Sequence, residues 1–254
     1  MSWSVGEWTP PDDARRPRDR WGGTFWSFQP FSLIKPEWHI DPEVATEASR
    51  VERRIRTQKF HESAGKLEAI SRYLLRSEAV SSSYIEGLRS NARNIVFEEL
   101  RRLERTGTAV TNSGNTSAAA EVADNIAALT SAVNRLGAAE SITWPDIESL
   151  QAELLSDLNQ PGTRDRQNWV GGSDIHPGQA EFIPPAAADL MPAVQDLVEF
   201  MNGAATGSLI QAGLVHAQFE TLHPFADGNG RIGRALIHLS LIHISEPTRP
   251  RLIS

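Results

Sequence analysis

The sequence predicts a mainly α-helical protein with one short β-hairpin inserted late in the chain. Apolar residues recur at helical spacing over much of residues 41–158 and again over residues 187–222, as amphipathic helices require. Residues 160–186 interrupt this period with proline and glycine, which favour turns. With 254 residues, of which 40% are hydrophobic, the chain can bury one large core or two small ones.

Residues 1–40 form a Trp- and Pro-rich arm without a helical period. Turn-forming pairs such as Pro10-Pro11 and Gly22-Gly23 lie among its aromatic residues. Because tryptophan rings are stabilised by packing against other apolar groups, we expect an extended arm that docks onto the helical body. The tryptophans of this arm are Trp3, Trp8, Trp21, Trp26 and Trp38.

Residues 41–110 form an N-terminal helical region. Asp41 followed by Pro42 is a typical helix start, because aspartate caps the first turn and proline needs no N–H there. Helical spacing continues to about Tyr84, and a further helix includes residues 95–100. The polar segment TGTAVTNSGN, residues 106–115, is the best internal boundary of the chain.

Residues 116–238 form the second helical region. The helices expected there are 118–136, 144–158 behind the cap Thr143, 187–201 and 208–222. Residues 168–172 and 180–185 are expected to form the two strands of the hairpin. We expect His176, which lies between these strands, to be exposed to solvent.

Composition and charge narrow the function classes. A formal net charge of −7 argues against a nucleic-acid-binding protein, since such proteins usually present basic surface. The absence of cysteine excludes disulfides, thiolate metal sites and a cysteine nucleophile. The apolar run 235–244 is too short to span a bilayer, and the N-terminus lacks a secretory pattern. We therefore predict a soluble cytoplasmic protein without a nucleic-acid or membrane partner.

The segment HPFADGNGRIGR, residues 223–234, carries the most chemical information. One helix is expected to end near its start and another to begin within it, so backbone N–H groups can converge on an anion at a helix N-terminus. Arg231 and Arg234 are three residues apart and share one face of the new helix. The residues of the backbone cradle are Gly228, Asn229 and Gly230.

Two further side chains complete a predicted phosphate-transfer site. Asp227 supplies a hard oxygen ligand beside the cradle, where a Mg²⁺ ion bridging phosphates would lie. His223 supplies a base whose ordinary pKa suits neutral pH. Phosphoryl-transfer enzymes use these same parts: a base, a metal ligand, backbone N–H groups that hold the phosphates, and cationic side chains such as the two arginines. A zinc site at His216 and His223 is not expected, because no third ligand lies at a suitable spacing.

This segment resembles the signature HPFx[D/E]GNGRxxR of the Fic (Fido-fold) family, with all nine specified positions present. The resemblance implies a Fido-type helical core and transfer of AMP from ATP to a Ser, Thr or Tyr hydroxyl of a target protein. It implies that His223 is the catalytic base and that Asp227 holds Mg²⁺. The residues that it implies for ATP binding are Gly228, Asn229, Gly230, Arg231 and Arg234.

Two other segments also resemble this family. Residues 82–87, SSYIEG, are similar to its inhibitory motif [S/T]xxxE[G/N] through Ser82, Glu86 and Gly87. This similarity implies that Glu86 pairs with Arg234 and keeps that arginine from the γ-phosphate of ATP. The hairpin at about 168–185 resembles a flap that aligns the target by strand addition.

Alternatives stay open within and outside catalysis. In some similar proteins the inhibitory glutamate, here Glu86, positions a water that removes AMP from a modified protein. A non-catalytic nucleotide-binding regulatory protein is an alternative of a different class. Phosphorylation, typical of the Doc-like branch, is disfavoured because that branch usually lacks the second glycine, here Gly230. Self-modification and a homodimer are also left open.

Residues 239–254 are predicted to be a foreign tail. Residues 239–249, LSLIHISEPTR, resemble a translated transposase end sequence of the kind used in sequencing adapters. We therefore expect a Fido core truncated near His238, with the apolar face formed by Ile232, Leu236 and Ile237 partly uncovered. The other interpretation is that residues 239–244 extend the preceding helix and that Pro247 ends it.

Overall fold

The computed structural model is mainly helical, which confirms the predicted fold class. It describes residues 2–12, 16–35, 39–57, 64–104, 117–155, 161–172, 175–203 and 207–245. The helices in these ranges are α1 (Pro42–Thr57), α2 (Ala64–Ile85), α3 (Ala92–Glu104), α4 (Ala118–Leu136), α5 (Trp144–Leu154), α6 (Leu190–Asn202), α7 (Ser208–Leu222) and α8 (Asn229–Ser245). Within the described ranges, none of them combines the length and apolar character needed to cross a membrane.

Side-chain caps explain where several helices begin. Asp41 Oδ1 accepts the Glu43 N–H at 2.7 Å, at the start of α1. Ser117 Oγ accepts the Ala120 N–H at 3.2 Å, at the start of α4. Such caps satisfy N–H groups that have no partner within the first helical turn. The starts of α1 and α4 agree with the boundaries expected from the sequence.

The N-terminal arm holds a β-hairpin rather than an extended chain. β1 (Ser2–Trp8) pairs antiparallel with β2 (Gly23–Gln29), and Val5 lies opposite Trp26. The period-2 alternation of SWSVGEW, in which small residues separate larger ones, is typical of a strand and was missed. The hairpin contacts Trp169 and Ile183: Trp8 packs edge-on against Trp169 with ring centroids 5.3 Å apart. Phe28 N–H also donates to the Ile183 carbonyl at 2.9 Å.

The hydrophobic core is shared mainly by α4, α5, α6, α7 and α8. α7 packs along α8, and α4 contacts α2, α3, α5 and α8. Burying one large apolar side chain contributes roughly 1.5–3 kcal/mol, so this cluster fixes the two helices that flank residues 223–228. Fully buried side chains of the core include Leu136, Ile147, Leu150, Leu197, Phe219, Leu222, Ile232 and Leu236.

The predicted hairpin at residues 168–185 is reduced to one isolated bridge. Val170 N–H donates to the Phe182 carbonyl at 2.8 Å, and Phe182 N–H donates back at 3.2 Å. The ladder stops because Gly171 and Gly172 follow with φ of +73° and +76°, which turns the chain out of the strand. The only extended two-stranded ladder in the described residues is therefore β1–β2. The expectation of an exposed His176 is also wrong, since it is 5% exposed.

Three predicted boundaries differ or fall outside the described ranges. α6 begins at Leu190 rather than at the expected residue 187, because Ala187–Asp189 form a 3-10 turn before it. α5 ends at Leu154, before the expected residue 158, because Leu155 leaves the helical region with φ −124° and ψ 61°. Residues 156–160 are outside the described residues, and so is the boundary segment 106–115.

α8 extends into the segment predicted to be foreign, which is residues 239–254. It ends at Ser245, and Leu239 lies fully buried in the core, which agrees with the interpretation that residues 239–244 extend the helix. The expected uncovered face is wrong for Ile232 and Leu236, which are 1% and 0% exposed, because α4 and α5 pack against α8. Ile237, the third residue of that face, is half-buried. The foreign origin of the tail stays a prediction, and residues 246–254 lie outside the described residues.

Candidate active site

The turn between α7 and α8 begins at a residue with a strained backbone. His223 has φ 45° and ψ 57°, and it is the only non-glycine residue with a positive φ in the described ranges. Its N–H still bonds the Phe219 carbonyl at 3.0 Å, so it caps α7 in the left-handed conformation. This conformation costs a non-glycine residue roughly 1–2 kcal/mol. Such strain persists only where the surroundings hold it, and it is concentrated at functional sites.

Two side chains from the loop 161–172 hold this turn. Arg164 Nε donates to the His223 carbonyl at 2.9 Å. Asn168 Nδ2 donates to the same carbonyl at 3.2 Å and to the Phe225 carbonyl at 3.1 Å. The backbone of His223 is therefore fixed by hydrogen bonds from outside its own helix.

The surroundings of His223 favour its neutral form. Burial lowers the pKa of His223 below its ordinary value, and the positive charge of Arg164 lowers it further. A hydrogen bond with the backbone of Glu220 and the charges of Glu86 and Asp227 act in the opposite direction. Because the net shift of the pKa is downward, the imidazole is neutral at pH 7 and able to accept a proton.

Phe225 anchors the turn in the hydrophobic core. Its side chain is fully buried and stacks on Trp144 of α5, with ring centroids 5.4 Å apart and planes 13° apart. Asn229 Oδ1 accepts the Phe225 N–H at 2.9 Å, and Asn229 Nδ2 donates to the Phe225 carbonyl at 2.8 Å. The predicted phosphate contact of Asn229 would therefore come from its backbone, since both ends of its amide hold the turn.

Gly228 allows the turn to pass close to α5. Its φ is +84°, and a Cβ built there would lie 2.6 Å from Leu155 Cδ1. Both observations favour glycine at this position. The adjacent Asp227 is 61% exposed at its side chain, and its Oδ1 accepts the Gly228 N–H at 2.5 Å. The turn thus presents a carboxylate to solvent directly before the N-terminus of α8.

Arg231 is a buried cation with free donors. It is 7% exposed, and its Nε and Nη1 atoms have no hydrogen-bond partner within the described part of the chain. Its Nη2 lies 3.6 Å from Asp227 Oδ1. Burying unpaired donors of a cation is costly, and Arg231 lies in the first turn of α8, where N–H groups lack helical acceptors. A cation beside free N–H groups at a helix N-terminus is an arrangement that can bind an anion such as phosphate.

Arg234, in contrast, is held by the end of α2 through its Nε and Nη2 atoms. Its Nη2 donates to Glu86 Oε1 at 2.7 Å, and its Nε donates to Ser82 Oγ at 2.8 Å. The same Nη2 lies 3.2 Å from the Ser82 carbonyl. Glu86 also packs directly on Gly230, where an added Cβ would overlap Glu86 Oε1. The carboxylate of Glu86 therefore lies in the predicted cradle, between the backbone of Gly230 and the side chain of Arg234.

The end of α2 is built to hold Glu86 in this place. Gly87 has φ +81°, its N–H bonds the Tyr84 carbonyl at 3.0 Å, and Leu88 N–H bonds the Ser83 carbonyl at 3.0 Å. This pattern is a Schellman motif with glycine in the left-handed position. One turn earlier, Asn125 of α4 donates to Ser83 Oγ at 2.8 Å and ties α2 to the core.

The donor set around Asp227 fits a magnesium ion that arrives with a nucleotide, not one held by protein alone. Mg²⁺ commonly binds one or two carboxylates together with substrate phosphates. Asp227 is an exposed carboxylate beside the cradle, and the described residues contain no group of three or more His, Cys, Asp or Glu that could hold a metal.

The structure brings the predicted residues together and adds others that the sequence did not single out. His223, Asp227, Arg231, Arg234 and Glu86 converge on the N-terminus of α8. The added residues are Arg164, Asn125, Trp144 and Glu220. Asn168, which was expected only to start a strand, also contacts the site. Helical period gives no signal for Arg164 and Asn168, because both lie in an irregular loop.

Comparison with known proteins agrees with this geometry. Residues 141–241 match the model of the Fic/DOC family. A probable protein adenylyltransferase from Aquifex aeolicus is 33% identical over 64 residues, which are 25% of this chain and 20% of that protein. A protein adenylyltransferase Fic from Drosophila mojavensis is 32% identical over 112 residues, which are 42% of this chain and 20% of that protein. The match thus spans about a fifth of the length of these relatives.

Solved structures share the fold at low sequence identity. A Fic family protein from Desulfovibrio desulfuricans aligns with a TM-score of 0.56 at 20% identity, covering 82% of this chain and 59% of that one. A Fic domain containing signaling protein from Bacteroides thetaiotaomicron aligns with a TM-score of 0.58 at 19% identity, covering 80% and 74%. Signature, fold and family model agree in supporting a Fic/Fido family assignment, and the match to the Fic/DOC model lies in residues 141–241.

Proposed function

We propose that this protein transfers AMP from ATP to a hydroxyl side chain of a target protein, and that Glu86 restrains the reaction. The observation that carries the proposal is the buried Arg231 guanidinium beside the N-terminus of α8 and close to the neutral His223. Its Nε and Nη1 atoms have no hydrogen-bond partner within the described residues. An anion site next to a base is what phosphorus-centred transfer requires. The names of the matched relatives from Aquifex and Drosophila support AMP as the group transferred.

In the proposed reaction His223 acts on the attacking hydroxyl. Its imidazole takes the proton of a Ser, Thr or Tyr hydroxyl, whose oxygen forms the new bond to the α-phosphorus. The bond from the α-phosphorus to the bridging oxygen breaks, and pyrophosphate leaves on the opposite side. Arg231 and the first N–H groups of α8 stabilise the charge on the phosphate oxygens.

Asp227 would hold the magnesium ion that accompanies the nucleotide. When bound, Mg²⁺ neutralises phosphate charge and orients the leaving pyrophosphate. The exposed Asp227 carboxylate is directed to the same side of the turn as Arg231, whose Nη2 is 3.6 Å away. This arrangement supports a shared role of the two side chains in binding the triphosphate.

Glu86 is proposed to restrain this reaction through Arg234. The carboxylate engages Arg234 at 2.7 Å and packs on Gly230, so it competes with phosphate for the same cation and the same space. Coulomb attraction between a partly buried carboxylate and guanidinium is stronger than in bulk water. Loss of Glu86 would free Arg234 to bind the terminal phosphate of ATP.

The test measures which phosphate of ATP, α or γ, becomes covalently attached to the target protein. The full-length Glu86→Gly variant is incubated with a candidate target, Mg²⁺ and ATP labelled at either the α- or the γ-phosphate. The proposal predicts protein label from α-labelled ATP alone, and loss of that label in Glu86→Gly with His223→Ala. Label from γ-labelled ATP would indicate phosphorylation, and no label from a folded Glu86→Gly protein would indicate a non-catalytic nucleotide-binding protein.

A second candidate is the removal of AMP from a modified protein. The observation that favours it is the position of Glu86 Oε1 against Gly230, where a carboxylate could orient a water toward a bound phosphate. Incubation of a pre-adenylylated target with the parental protein and with Glu86→Gln separates the two. Release of AMP by the parental protein alone would favour removal, whereas faster AMP attachment by Glu86→Gln favours transfer.

A further inference from the structure

Arg164 holds the C-terminal end of the helix that carries the base. It is 7% exposed, and its Nε donates to the His223 carbonyl at 2.9 Å. Its Nη2 lies 3.5 Å from the Leu222 carbonyl and donates to the Pro185 carbonyl at 2.6 Å. Its own backbone N–H donates to the Pro224 carbonyl at 2.9 Å. One residue therefore contacts the three consecutive residues at which α7 turns toward α8.

The setting of this guanidinium is unusual for a buried charge. All of the hydrogen-bond acceptors given above for its side chain are backbone carbonyls, and burial lowers the pKa of Arg164 to about 10. Burying a cation without a carboxylate is costly. The negative end of the α7 dipole offsets part of that cost. The free-energy cost of burying Arg164 is explained if its hydrogen bond to the His223 carbonyl is needed to position His223.

At the other end, α7 is held by an opposite charge. Glu52 of α1 accepts the Leu209 N–H at 2.9 Å through Oε1, so a carboxylate lies at the N-terminus of α7 and a guanidinium at its C-terminus. Both charges have the sign that stabilises a helix dipole. α7 is thus fixed along its axis from two distant parts of the chain, and His223 lies at the end held by Arg164.

We propose that Arg164 is a positioning residue for His223: its guanidinium holds the carbonyls of Leu222 and His223 and keeps the imidazole aimed at the cradle. This role rests on the proposed function, in which His223 is the base. The strained φ of 45° at His223 would relax without an outside donor, because the left-handed conformation is costly for a residue with a Cβ. Asn168 supports the same carbonyl at 3.2 Å and is the weaker of the two holds, since its donor is uncharged.

Charge and geometry can be separated by two substitutions of Arg164. The charged groups that face His223 are Arg164 from the loop, Glu86 from α2 and Asp227 from the turn, with the backbone of Glu220 from α7. Arg164→Lys keeps the positive charge but loses the planar fork of donors. Arg164→Met removes both. Arg166→Met is the matched control, because the Arg166 side chain is 84% exposed and only its carbonyl touches Arg164.

The kinetic experiment is carried out in the full-length Glu86→Gly background. We expect Arg164→Lys to lower kcat by roughly 10- to 100-fold, the cost of a misplaced catalytic group. The KM for ATP should stay within about twofold of its value in the Glu86→Gly background. The acidic limb of its pH–rate profile should stay in place, whereas that of Arg164→Met should move to higher pH. Parental kcat in both variants, or a loss equal to the loss of folded protein, overturns the proposal.

A second variant and a second readout keep the test independent of folding and of turnover. Asn168→Leu removes the other donor to the His223 carbonyl, and we expect a smaller kcat loss of about threefold to tenfold, since an uncharged hydrogen bond is weaker.

The His223 titration is followed by NMR, with its resonance assigned from His223→Gln. Arg164→Met should raise the His223 midpoint and Arg166→Met should not; an unchanged midpoint in Arg164→Met contradicts the inference. A shifted midpoint in a protein that transfers no AMP confirms the contact and rejects the proposed function.

Discussion

Arg234 of α8 donates to Glu86 at the end of α2 at a distance of 2.7 Å. The two residues are 148 positions apart in sequence, so this pair joins the N-terminal helical region to the start of α8. The Glu86 side chain is 38% exposed and that of Arg234 is 18% exposed. Water reaches the carboxylate and weakens the pair, which suits a contact that opens during the proposed reaction.

Ser82 should contribute to this restraint. Its Oγ accepts from Arg234 Nε at 2.8 Å in a site that is 4% exposed. We expect Ser82→Ala to raise basal AMP transfer about three- to tenfold, because a hydrogen bond to a charged group contributes ~1.5 kcal/mol or somewhat less after repacking. The rates of label incorporation are compared with Ser81→Ala, an exposed neighbour on the same helix. Equal rates in the two variants would show that Ser82 does not hold Arg234.

The acidity of His223 should shape the pH dependence. Because burial and Arg164 lower its pKa, the imidazole stays neutral at pH values where an ordinary histidine is already charged. The acidic limb of kcat for Glu86→Gly should therefore have its midpoint below the ordinary value of about 6.5. Initial rates between pH 4.5 and 8, with circular dichroism at each pH, provide the measurement. A midpoint above about 7 in folded protein would contradict the environment described for His223.

Phe225 should stabilise both fold and site. Its ring is fully buried between Trp144 and Phe219, with centroids at 5.4 and 5.9 Å. We expect Phe225→Ala to lower the free energy of unfolding by about 3–5 kcal/mol, the usual cost of deleting a buried aromatic ring. Urea unfolding followed by circular dichroism measures this change. Phe97→Ala on α3, where the ring is 49% exposed, should cost less than about 1 kcal/mol.

Local sequence patterns predicted most of the helices. They failed where contacts between distant parts of the chain determine the local structure. Asp41 and Ser117 mark helix starts that a single turn of backbone determines. The β1–β2 hairpin was missed because its turn-forming and aromatic residues obscured the strand period, and because its docking depends on Trp169 and Ile183, far along the chain. The end of α5 was placed too late, since Leu155 leaves the helix to pack against Gly228.

The candidate site was predicted to the extent that its residues are adjacent in sequence. A contiguous signature places His223, Asp227 and Arg231 in one turn, and the family resemblance supplied the partner of Arg234. Arg164 had no such signal, because its role depends on reaching the carbonyl of His223, 59 residues later. The same holds for Asn125, which secures Ser83 across 42 residues. Side chains that hold a backbone are visible only in three dimensions.

The central claim is that Glu86 restrains an otherwise complete adenylylation site, and one comparison of rates tests it most directly. AMP incorporation from α-labelled ATP is measured for the parental chain, Glu86→Gln and Glu86→Gly at equal folded concentration. We predict that both variants exceed the parental rate by at least about tenfold, since each removes the charge that holds Arg234. Parental or lower rates in both folded variants would contradict the claim.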